Sequence, residues 1–152
     1  MMNDNDAVST LNHLIEISKD GEQGFLKSAE SVDDPKLKAF FLRRSKEVKE
    51  SVIELQELVR ELGAEPTDSE SIGGYLHRRW IDLKTAISSN DNYAVLNEVE
   101  RGEDVALNAY REAANQDLPP QVASVVLRQL NGAQRNHDDV KQLRDTAELQ
   151  AH

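Results

Sequence analysis

Apolar residues recur at alternating steps of three and four along most of the chain, the period of helices with one buried face. Ile15, Ser18, Glu22, Phe25 and Ala29 share one such stripe, and Leu96, Val99, Glu103, Ala106 and Tyr110 share another. The pattern predicts a first helix from about Ala7 to Val32, capped by Asp6. Asp33-Asp34-Pro35 then breaks the chain, with Asp34 suited to an N-cap and Pro35 to the first helical position. A second helix follows to Leu62, with Leu37, Phe41, Val48, Val52, Leu55, Val59 and Leu62 inward, and Gly63 as its stop.

Pro66, Thr67, Asp68 and Ser69 mark a polar loop, after which a short helix is predicted from Gly73 or Gly74 to Ser88. Its stripe is Ile72, Leu76, Trp80, Leu83 and Ile87, so in His77-Arg78-Arg79-Trp80 the tryptophan anchors the helix and the arginines balance nearby acids. Asp91 caps a third long helix that reaches about Asn115. Pro119-Pro120 opens a fourth, with Val122, Val126, Leu130, Ala133, His137, Val140 and Ala147 inward. Tight turns make the first and second helices, and the third and fourth, antiparallel pairs. The middle connection of roughly 28 residues is long enough to travel the length of a bundle. The expected fold is therefore all-α: an antiparallel four-helix bundle with a long crossover containing a short helix, formed by residues 1–152 as one domain. A simple up-down bundle is the competing topology.

Composition narrows the function more than the fold. The formal net charge is −10 and the pI about 4.8, which opposes a nucleic-acid partner. Without cysteine there is no disulfide, iron–sulfur cluster or thiol chemistry. Met1 to Thr10 is polar and acidic rather than signal-like, and no apolar run approaches a membrane span, so the expected location is cytoplasmic. No Ser-His-Asp set, phosphate-binding glycine loop or EF-hand spacing is present.

The inward glutamates Glu22 and Glu103 change the picture, each following a glycine, Gly21 and Gly102. A carboxylate on an apolar stripe is costly unless neutralised. Arg44 is the inward polar residue of the second helix and lies about as far from the Asp33-Asp34 turn as Glu22. The two are thus expected at one level of the antiparallel pair, where a guanidinium can neutralise the carboxylate. In the acidic run Glu98, Glu100, Glu103, Asp104, only Glu103 is on the inner stripe, and the others are expected in solvent.

Lys19-Asp20-Gly21-Glu22-Gln23-Gly24-Phe25, Leu76-His77-Arg78-Arg79-Trp80, Glu100-Arg101-Gly102-Glu103-Asp104 and Asn136-His137-Asp138-Asp139-Val140 together resemble rubrerythrin-like members of the ferritin-like superfamily. The nearer likeness is to a small bacterial branch to which no activity is attached. Family di-iron centres take one glutamate from each of two helices and a Glu-x-x-His pair from each of the others. By that resemblance Glu22 and Glu103 match the single glutamates. Gln134 stands where the fourth helix would carry a glutamate, three residues before His137, and the second helix has no histidine. Glu47 and Glu50 lie beside its inner stripe.

The preferred expectation is a non-catalytic bundle whose di-metal layer has become a polar cluster of Glu22, Arg44, Glu103, Gln134 and His137. It needs no cofactor, and its role is interaction or a stress response, through self-association into a homo-oligomer or contact with another protein. The alternative is an oxidoreductase-like protein holding iron or manganese on Glu22, Glu50, Glu103 and His137.

Overall fold

The computed structural model describes residues 1–68 and 91–151. Within them lie four helices and no strand: α1 (Asp4–Ser31), α2 (Pro35–Glu61), α3 (Asn92–Ala114) and α4 (Pro120–Ala151). The short helix expected around Trp80 falls outside the described residues.

Helix ends follow local capping chemistry. Asp34 Oδ1 accepts from Lys36 N–H at 2.8 Å and Leu37 N–H at 3.4 Å, and Pro35 follows as the first helical residue. Asp91 Oδ1 caps α3 through Tyr93 N–H at 2.9 Å. Beyond α2, Gly63 adopts φ 83°, a conformation in which a side chain would strain the backbone. The start of α1 departs from expectation. Asn3, not Asp6, is the N-cap, its Oδ1 accepting Asp6 N–H at 2.8 Å. Asp4 and Asp6 thereby enter the first turn, where unpaired N–H groups favour negative charge.

Contacts along the helices give their directions. Met2 N–H donates to Asp117 O at 2.8 Å, Thr10 Oγ1 to Gln116 Oε1 at 2.6 Å, and Ser18 meets Tyr110, so α1 and α3 are antiparallel. Tyr110 meets Gln129, Asp104 meets His137 and Glu100 meets Arg144, so α3 and α4 are antiparallel as well. With α1 and α2 joined by a short turn, α2 and α3 must point the same way. The end of α2 and the start of α3 therefore lie at opposite ends of the bundle, which is the ferritin-like connectivity rather than simple up-down order.

Among the described residues the apolar core comes in two clusters. Ala7, Leu11, Leu14, Leu55, Val59, Ala113, Val122 and Val126 belong to one. Phe25, Ala29, Leu37, Phe41, Leu96, Val99 and Val140 belong to the other, at the opposite end. Between them runs a band of polar side chains. No described helix is long and apolar enough to cross a membrane.

Candidate functional site

Arg44 is held on the inner face of α2 by the same period that buries Phe41 and Val52, and only 6% of it is exposed. Its Cζ stands 5.2 Å from the centroid of the Phe25 ring, so an aromatic face orients the guanidinium. Nη2 donates to Glu103 Oε1 at 3.4 Å, and Nη1 to Glu47 Oε1 at the same distance. Glu103 is 5% exposed, whereas the Glu47 side chain is 46% exposed. Arg44 Nε is buried without a hydrogen bond among the described residues.

Burial pushes the Glu103 carboxyl above its ordinary value of 4.5. The charge and hydrogen bond of Arg44, and the charge of His137, pull it down without overcoming the loss of water. This is the balance of a buried pair with a long contact, in which desolvation outweighs attraction.

The pairing expected from the sequence was Arg44 with Glu22, and the observed partner is on a different helix. Glu22 is half-buried on α1, and the contact at this level is between Ser45 Oγ and the Glu22 carbonyl at 3.4 Å. A half-hydrated carboxylate needs a cation less than one cut off from water, and the Phe25 ring steers the guanidinium toward α3. Gln134 lies at the α3–α4 edge, accepting from Arg111 at 2.7 Å and donating to Asp138 at 3.0 Å. Glu50 is exposed on α2. Of the five residues expected in one polar cluster, Arg44 and Glu103 are in contact and His137 is near enough for its charge to act on Glu103.

His137 has its own set of partners. Its Nε2 lies 2.5 Å from Asp104 Oδ1 and 3.9 Å from Glu100 Oε1. Glu100 also pairs with Arg144, and it is buried at 9% exposure, contrary to its expected place in solvent. Among the described residues, Glu100, Asp104 and His137 bring one ligand atom each within 4.8 Å of one another. The signal for this group was spacing. Glu100 and Asp104 are one turn apart on α3, and His137 and Arg144 are two turns apart on α4, in antiparallel order.

A second polar chain links all four helices nearer the start of α1. Tyr110 donates its hydroxyl to Gln129 Oε1 at 2.7 Å and lies 3.4 Å from Ser18 Oγ on α1. Gln129 Nε2 in turn donates to Glu54 Oε1 on α2 at 2.8 Å. Burial raises the Tyr110 pKa, so the phenol stays neutral and remains a donor. Burial also pushes Glu54 up, but hydrogen bonds from Arg128 and Gln129, with the Arg128 charge, hold it below its ordinary value.

With this geometry in view, comparison with known proteins places the chain in a family. Residues 6–116 match a domain of unknown function, DUF2383. The chain belongs to the DUF2383 family. The matched stretch contains Glu22, Arg44, Glu100, Glu103 and Asp104, while His137 and α4 lie beyond it. No curated protein matches the chain. Among solved structures it is similar to a two-domain protein from Anabaena variabilis with DJ-1/ThiJ/PfpI-like and ferritin-like domains. That similarity has a TM-score of 0.76 at 13% identity, over 95% of this chain and 37% of the other. It establishes a ferritin-like fold, and this chain spans well under half of that protein.

Proposed function

We propose that this DUF2383 chain is a non-catalytic ferritin-like bundle in which an ion pair does the work that a di-metal centre does in the wider fold. The observation that carries the reading is the Arg44 guanidinium against Glu103, in the polar band between the two apolar clusters. A di-metal centre needs several carboxylates turned to one point. Here Glu103 faces a fixed positive charge, Glu50 is exposed and Gln134 is engaged by Arg111 and Asp138. That donor set fits a dinuclear centre poorly, and no redox step is assigned to it.

The bundle would then act by association, in a stress response or another setting, either as a homo-oligomer or as a module beside another protein. Support for the second form is that the ferritin-like domain of the Anabaena protein is one of two in its chain. The test is anaerobic addition of two equivalents of Fe²⁺ followed by dioxygen, with oxygen uptake recorded. Uptake no faster than that of free iron is the expected result. Catalytic uptake lost in Glu103→Gln would establish the oxidoreductase alternative.

A further inference from the structure

We propose that Glu100, Asp104 and His137 bind a single first-row divalent cation, such as Zn²⁺, in the groove between α3 and α4. The site goes beyond the ion-pair reading and does not depend on it, because Glu103 keeps Arg44 as its partner.

Geometry is the first argument. Glu100 and Asp104 project from one face of α3, and His137 meets them from α4, with donor atoms within 4.8 Å of one another. An ion that holds nitrogen and oxygen ligands at about 2.0–2.2 Å sets them roughly 3–4 Å apart. The Nε2 to Oε1 distance is 3.9 Å and the Nε2 to Oδ1 distance 2.5 Å, so a small rotation of Asp104 makes room for the ion. One imidazole with two carboxylates is a donor set that suits zinc and its neighbours. The Asp104 side chain is 53% exposed, which leaves an entry path and room for water ligands.

The other face of the imidazole is the second argument. His137 Nδ1 is buried and finds no hydrogen-bond partner among the described residues, and Asp138 Oδ1 stands 3.6 Å from it. Once Nε2 gives its lone pair to a cation, the ring proton resides on Nδ1 with a carboxylate beside it. That is the arrangement that orients histidine ligands in metal sites.

Charge is the third. Glu100, Asp104, Asp138 and Asp145 crowd this side of the α3–α4 pair, and Arg144 is divided between Glu100 and Asp145. A neutral imidazole leaves this excess negative charge standing, and a dication offsets most of it.

The experiment is calorimetric titration of chelator-treated protein with Zn²⁺, paralleled by visible spectra with Co²⁺. One ion per chain is expected. Asp104→Asn should weaken binding by at least about tenfold, His137→Ala should abolish it together with the Co²⁺ bands, and Glu103→Gln should leave it unchanged. Exposed Asp104 makes Asp104→Asn the variant that keeps its fold, checked by far-ultraviolet circular dichroism. Absence of binding up to millimolar Zn²⁺, or binding by Asp104→Asn and His137→Ala as tight as that of the parent, overturns the site alone. Two ions lost together in Glu103→Gln overturn both this site and the ion-pair reading.

Discussion

Glu103 and Glu54 are two carboxylates whose surroundings push their titration in opposite directions. Burial raises Glu103 despite Arg44, so the folded protein holds that proton more tightly than the unfolded chain does. The associated stability is complete below the unfolded value near 4.5 and is lost as pH rises through the raised folded value. Urea unfolding from pH 4.5 to 7.5 should therefore show Glu103→Gln gaining stability relative to the parent as pH rises; parallel curves would contradict this. For Glu54 the sign reverses, because Arg128 and Gln129 hold its folded pKa down. Its contribution is present above the unfolded value and lost as pH falls through the folded one, so Glu54→Gln should flatten the acid limb. The inward place of Arg44 and Glu103 was legible in the sequence, from period alone. The choice of partner was not. Counting from a turn gives the level of a residue along the bundle, but not which of two neighbouring helices its side chain will reach.

Helices in this molecule are limited by their caps. Asp34, Gly63 and Asp91 could be read directly, because each is followed or preceded by a change in period. Asn3 could not, since Asn3 and Asp6 are both good caps one turn apart, and what favours the earlier start is a long-range contact, the Met2 N–H bond to the Asp117 carbonyl just past α3. Asp34 accepts from two backbone N–H groups, so Asp34→Ala should destabilise the protein by about 1 kcal/mol. Gly21 lies inside α1, and none of the described residues packs within 4 Å of where a Cβ would sit. Gly21→Ala should accordingly stabilise by roughly 0.5–1 kcal/mol, read as a higher urea midpoint. A lower midpoint would mean that the Gly-Glu repeat has a use beyond helix geometry.

At the scale of the molecule, two apolar clusters enclose a polar band among the described residues, and α4 contributes to all three. Val122, Val126 and Val140 have no exposed surface, and Gln129, His137 and Arg144 are among the α4 side chains that make polar contacts to other helices. The family match ends at residue 116, yet the core does not. Truncation after Gln116 should leave both clusters open and abolish a cooperative thermal transition; a sharp melt of residues 1–116 would contradict this. The ferritin-like order was legible because one connection is far longer than the other two. Burial of Glu100 was not, because α3 turns two faces inward, one toward α1 and α2 and one toward α4, and a single stripe describes only the first.

Arg44 and Glu103, 3.4 Å apart, are proposed to neutralise each other inside the bundle. A double-mutant cycle of Arg44→Met and Glu103→Met, by urea unfolding of chelator-treated protein at pH 7.5, tests it most directly. Arg44→Met alone should cost about 3–5 kcal/mol by stranding a buried carboxylate, and the double variant should recover much of that loss. Additive single effects, with a coupling within about 0.5 kcal/mol of zero, would show that the two side chains do not depend on each other.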